Sequence, residues 1–178
     1  MSNKDPKEAI KEIESLWRTY LFCRSVFPAL TNEIIGHNEY QTAPYYTRRG
    51  FMVHIQTEIP INAEFVKESK RLGKWINENA IIRLYGIMNF YNFLKKIDQS
   101  CQGWKEVDLM RRMRNAFTKT GLDYRPEDPE NVRLKKEVMA YFKLDKKLND
   151  EGDIPVPIDT VIEKIFNSCL CYIKAKIA

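Results

Sequence analysis

The chain has 178 residues, 44% of them apolar and 30% charged, with seven glycines and eight prolines. That length suits one domain able to bury its own core. The balance excludes a disordered chain, and so few turn residues favour long elements over many short strands. The formal charge of +5 and a pI near 8.9 permit an acidic partner. They fall short of the dense basic stripe of a dedicated nucleic-acid domain.

The first six residues, Met1 to Pro6, contain no apolar signal core. No uninterrupted apolar run approaches the ~20 residues needed to span a bilayer. A cytoplasmic chain without a membrane segment is expected. The first helix is expected over 6–27, with Asp5 as cap and Pro6 at the first helical position. Ile10, Ile13, Trp17, Tyr20 and Leu21 recur at helical spacing and mark its core face, and Pro28 stops it.

Residues 31–50 read as loop with one helical turn, since Gly36, Asn38 and Pro44 interrupt any period. Residues 51–59 alternate. Phe51, Val53, Ile55 and Ile59 fall on one side, and His54, Gln56 and Glu58 on the other, the pattern of a half-buried strand. Its expected partner is either Ile154 to Val156 or a second copy of the chain. A long helix is expected over 63–97, capped by Asn62. Its apolar face is Phe65, Leu72, Ile76, Leu84, Ile87, Tyr91 and Leu94, with Gly73 and Gly86 as points of bending or close approach. The aromatic cluster Tyr85, Phe90, Tyr91 and Phe93 reads as core or dimer interface in preference to a base-stacking platform.

The next helix is expected over 104–118, burying Val107, Met110 (or Leu109), Met113 and Phe117 and stopping at Gly121. Asp128 and Pro129 open another, which carries Val132, Val138, Tyr141, Phe142 and Leu144. Residues 145–153 form a charged loop. Pro155 and Pro157 keep 154–157 extended. A last helix runs from Ile158 to the end, with Ile158, Ile162, Ile165, Phe166, Cys169 and Ile173 as its stripe. The fold class is therefore all-α: an up-and-down bundle of four to five helices with one short strand around 51–59. One domain covers 1–178, an N-terminal helix and extension (1–61) leading into a core bundle (62–178).

The cysteines Cys23, Cys101, Cys169 and Cys171 form no Cys-x-x-Cys pair, and His37 and His54 lie far from them in sequence. They read as free thiols in a reducing compartment, with no metal site and no cofactor. There is no glycine-rich phosphate loop and no Ser/His/Asp pattern. What stands out is the helix over 104–118. Arg111, Arg112 and Arg114 crowd into four positions, followed by Asn115, Ala116, Phe117 and Lys119. Cations near a helix C-terminus relieve the helix dipole, which accounts for Arg114 and Lys119 in part. It does not account for a guanidinium and an amide beside Met113 and Phe117, where part-burial calls for a planar anionic partner.

Arginine, asparagine and two small or apolar residues near a helix end, in a small helical bundle, resemble the HEPN superfamily, named for nucleotide binding in higher eukaryotes and prokaryotes. Its motif is an arginine, a short variable spacer and a histidine, most often beginning Arg-Asn. Arg114, Asn115, Ala116 and Phe117 match the first part, and the resemblance covers 62–178. The motif histidine is replaced: Lys119 stands at its expected place, and no histidine follows His54. The resemblance implies a homodimer and RNA or nucleotide as ligand. It also implies metal-independent RNA cleavage with Arg114, Asn115 and Lys119 at the catalytic positions. An unperturbed lysine, with pKa ≈ 10.4, is a poor base at neutral pH but still binds phosphate as a point charge.

Three readings result. The first is a non-catalytic HEPN-like module that binds RNA, nucleotide or a protein partner through Arg111, Arg112, Arg114, Asn115, Lys119 and Arg125. The second is an endoribonuclease with a variant site that recruits another base, such as His54. The third is a structural or interaction protein in which Arg114 pairs with a carboxylate such as Glu78.

Overall fold

The computed structural model describes residues 5–27, 30–41, 53–118, 128–145 and 154–177. Among them are five α-helices: α1 (Pro6–Val26), α2 (Ala63–Phe90), α3 (Trp104–Thr118), α4 (Pro129–Phe142) and α5 (Glu163–Ile177). Two short strands, β1 (Glu39–Gln41) and β2 (His54–Gln56), form an antiparallel pair. The chain is thus all-α with a small sheet. No described helix is long and apolar enough to cross a membrane.

Local chemistry sets most helix starts. Asp5 Oδ1 accepts from Lys7 N–H at 2.9 Å, and Pro6 occupies the first helical position. Asn62 Oδ1 accepts from Phe65 N–H at 2.8 Å, and Asp128 Oδ1 from Glu130 N–H at 2.9 Å, just before Pro129. Each cap satisfies one of the donors that a helix start leaves without a partner. Pro157 precedes a π-helical turn, Ile158–Ile162, whose Ile162 N–H reaches back to Pro157 O at 3.1 Å before α5 begins. The expected last helix is therefore two pieces.

Four expectations need correction. The long helix ends at Phe90 and not at Ile97, because Asn92 turns left-handed (φ 65°). Phe93 N–H then bonds Met88 O, and Asn92 N–H bonds Asn89 O, the paired bonds of a Schellman stop. Strand β2 pairs with β1, in a stretch read as loop, and not with residues 154–156; the register places Tyr40 opposite Ile55 and Gln41 opposite His54. The alternation stops at Gln56, so Ile59, assigned to the buried side, is 70% exposed. Phe65 is likewise exposed, although the stripe of the long helix includes it.

The chain divides into two compact units, residues 15–76 and residues 1–14 with 77–178. In the first, Leu30, Tyr40, Ile61 and Val66 form a cluster on which Ile34 and Ile55 pack. The buried Arg24 guanidinium lies beside Gly73, where a side chain would displace it. In the second unit α3 packs on both α4 and α5. Its core joins Ile81, Leu84 and Met88 of α2 and Val107, Met110, Met113 and Phe117 of α3. Leu134 and Val138 of α4 and Ile165, Phe166, Cys169 and Tyr172 of α5 complete it. The expected buried face of α3 is the observed one. Buried polar groups tie the loops to this core: Asn77 Nδ2 donates to Val156 O at 2.9 Å, and Asp98 N–H donates to the Tyr172 hydroxyl at 2.8 Å.

Candidate functional site

The apolar stripe of α3 faces α4 and α5, so its arginines emerge at the edges of that contact. Arg111 is exposed and donates to Asp108 Oδ1 at 2.7 Å, one turn earlier. Arg112 reaches across to α4. Its Nη1 and Nη2 donate to the two oxygens of Glu137 at 2.7 and 2.6 Å, and its Nε lies 3.1 Å from Asp108 Oδ2. This fork matches two parallel N–H groups to one carboxylate. The hydrogen bonds to Glu137 raise Arg112 above its ordinary range, with the attraction of Glu137 and Asp108 adding to them. The same bonds from Arg112 hold Glu137 below the usual carboxylate value.

Arg114 is placed differently. Its guanidinium lies over the Tyr85 ring of α2, 4.7 Å from the centroid. Its Nη1 donates to Asn115 Oδ1 at 3.2 Å, while Nε is shielded from solvent and makes no hydrogen bond among the described residues. No carboxylate pairs with it among those residues, and it makes no ion pair with Glu78 there. Arg114 is therefore half-buried and held by an aromatic face, with no carboxylate partner among the described residues. Thr118 closes the helix end by donating its hydroxyl to Arg114 O at 3.0 Å.

Asn115 is exposed and connects this guanidinium to a cleft of about 360 Å³ between α3 and α4. Arg112, Asn115 and Ala116 line it from α3, and Glu130, Asn131, Arg133 and Leu134 from α4. With Asn115 Oδ1 turned to Arg114, the amide N–H groups are what remains for a ligand. Lys119 and Arg125, named with this patch from the sequence, lie outside the described residues. His54, the alternative base, sits on β2 with Nε2 at 2.9 Å from Glu39 Oε2. Among the described residues no group of three His, Cys, Asp or Glu side chains converges as metal ligands.

The arginine cluster is legible in the sequence, but its partners Tyr85 and Glu137 are not. Tyr85 stands in the sequence within an aromatic run that reads as core or dimer interface. Part of that run is interior, Phe93 being buried, but Phe90 is exposed and Tyr91 donates its hydroxyl to Glu12 at 2.8 Å. Nothing local signals Glu137, which lies 25 residues beyond Arg112. Compared with protein-family models, curated proteins and solved structures, the chain finds no match among them.

Proposed function

We propose that this chain is a non-catalytic, HEPN-like cytoplasmic module that binds the phosphate backbone of RNA through Arg114 and Asn115 at the end of α3. One observation carries the reading: of the three α3 arginines, Arg114 has no carboxylate partner among the described residues. A half-buried cation without a counter-charge is completed by an anion, and a planar guanidinium suits phosphate oxygens. Arg111 and Arg112 contribute through their carboxylate pairs, which set the frame. The family resemblance adds a homodimer and places Lys119 as a second phosphate contact.

The test is fluorescence anisotropy of a labelled single-stranded RNA over a salt series. Affinity is expected to fall linearly with salt on logarithmic axes. Arg114→Ala is expected to weaken it roughly tenfold or more, the worth of a charge-assisted hydrogen bond, and to lower the salt slope by about one. Arg111→Ala is expected to act through bulk charge alone and to change affinity less. Binding that ignores salt, or that is unchanged in Arg114→Ala, overturns the reading in favour of a protein partner. RNA incubated with the protein in chelator is expected to stay intact; cleavage lost in Arg114→Ala returns a ribonuclease.

A further inference from the structure

The geometry points to Tyr85 as the positioning residue of this site: its ring orients the Arg114 guanidinium so that the Nη edge is presented to phosphate. This rests on the RNA-binding reading and assigns a role to a residue of another helix. A free arginine side chain samples many rotamers, and each rotamer lost on binding weakens affinity. Here three of the constraints are already in place. The guanidinium lies over the Tyr85 ring at 4.7 Å from its centroid, its Nε is sealed from solvent, and its Nη1 is anchored to Asn115 Oδ1 at 3.2 Å. Nη2 with both its hydrogens and the second hydrogen of Nη1 make no hydrogen bond among the described residues, and these are the two nitrogens whose N–H groups a phosphate accepts side by side.

The electrostatics agree with the placement. A carboxylate in Tyr85's position would also orient the guanidinium, but it would neutralise it and compete with the ligand, as Glu137 does for Arg112. An aromatic face holds a cation through its quadrupole and leaves the net charge available. Arg112 and Arg114, two positions apart on one helix, are thus held by two different devices, and of the two only the second has no carboxylate partner among the described residues.

Three replacements of Tyr85 separate this role from simple packing. Tyr85→Phe keeps the ring and is expected to bind RNA like the parent. Tyr85→Leu is expected to weaken binding about fivefold, within the range of a cation–π contact. Replacement by pentafluorophenylalanine keeps the shape and inverts the quadrupole. It is expected to weaken binding as leucine does, even if Tyr85→Leu fails to fold. In the Arg114→Ala background none of the three is expected to have a further effect. The Arg114 Nε–H resonance gives a readout that needs no RNA. Its exchange with water is expected to be slow in the parent and in Tyr85→Phe and to accelerate with the fluorinated ring. Equal affinity and equal exchange for phenylalanine and its fluorinated form overturn the role of Tyr85. So do losses that add to that of Arg114→Ala. Slow exchange governed by the ring, together with RNA affinity that ignores Arg114, upholds the placement of Arg114 and overturns the RNA reading and the phosphate role built on it.

Discussion

The Cys169 thiol is fully buried against Met110, Sγ to Sδ at 3.8 Å, and burial pushes its ionisation well above the ordinary 9.0 because a thiolate there loses its hydration. Cys23, Cys101 and Cys171 are partly exposed. Alkylation of the native protein at pH 8, read by mass spectrometry, is expected to label those three first and Cys169 only after denaturation. Early labelling of Cys169 contradicts its burial. Two tyrosines behave similarly for different reasons. The hydrogen bond to Glu12 raises Tyr91 to about 12, and burial, aided by the bond to Glu106, raises Tyr141 to about 12. A folded pKa above the unfolded value of 10 means a contribution present below pH 10 and lost as pH rises through about 12. Absorbance titration is expected to show Tyr91 and Tyr141 among the late phenols, with Tyr91 moving back toward the ordinary range in Glu12→Gln. At this scale the sequence put Arg111, Arg112 and Arg114 on one helix but left open which of them a carboxylate holds. Asp108 is within reach of two of them, and Glu137 joins only through the contact of α3 with α4.

Gly103 sits at the entrance to α3 with φ +87°, and a side chain there would run into the backbone carbonyl of Ser168 on α5. The left-handed conformation costs an L-residue about 1–2 kcal/mol, and the collision with backbone adds to it. Gly103→Ala is expected to destabilise by about 2 kcal/mol or more, seen as a lower urea midpoint with an unchanged slope. A stability loss within a few tenths of a kcal/mol of that for an exposed Gly→Ala elsewhere would show that the turn does not approach α5 so closely. Gly103 carried no sequence signal, since one glycine before a tryptophan reads as an ordinary turn. Asn92 is a sharper case: asparagine is the residue other than glycine best able to take the left-handed turn that ends α2. The apolar pattern of the sequence runs on through Tyr91 and Leu94, so periodicity alone carried the helix too far.

The unit formed by residues 1–14 and 77–178 depends on α3 being clamped to α4 as well as packed on α5. Arg112 and Glu137 supply that clamp. The Glu137 carboxyl is held below its ordinary 4.5 by the Arg112 hydrogen bonds, so its contribution is present above pH 4.5 and is lost as pH falls through the lowered folded value. Glu137→Gln is expected to lower the urea midpoint at pH 7 and to flatten the acid limb of the stability–pH curve. Parallel curves for parent and variant would remove the clamp from the account. The same substitution leaves the Arg112–Asp108 contact in place and removes one negative charge beside the α3–α4 cleft. RNA affinity is expected to rise.

What the sequence determined by itself was local. Asp5, Asn62 and Asp128 mark helix starts because a cap acts within three residues of its partner. Val107, Met110, Met113 and Phe117 mark the buried face of α3 because the helical repeat is short. The arginine cluster was visible for the same reason. The tertiary structure alone decided that β2 pairs with β1, that Arg112 is taken up by Glu137, and that Arg114 rests on Tyr85. Each of these joins residues far apart in the chain, and whether a charge is compensated or left for a partner depends on what the fold brings beside it.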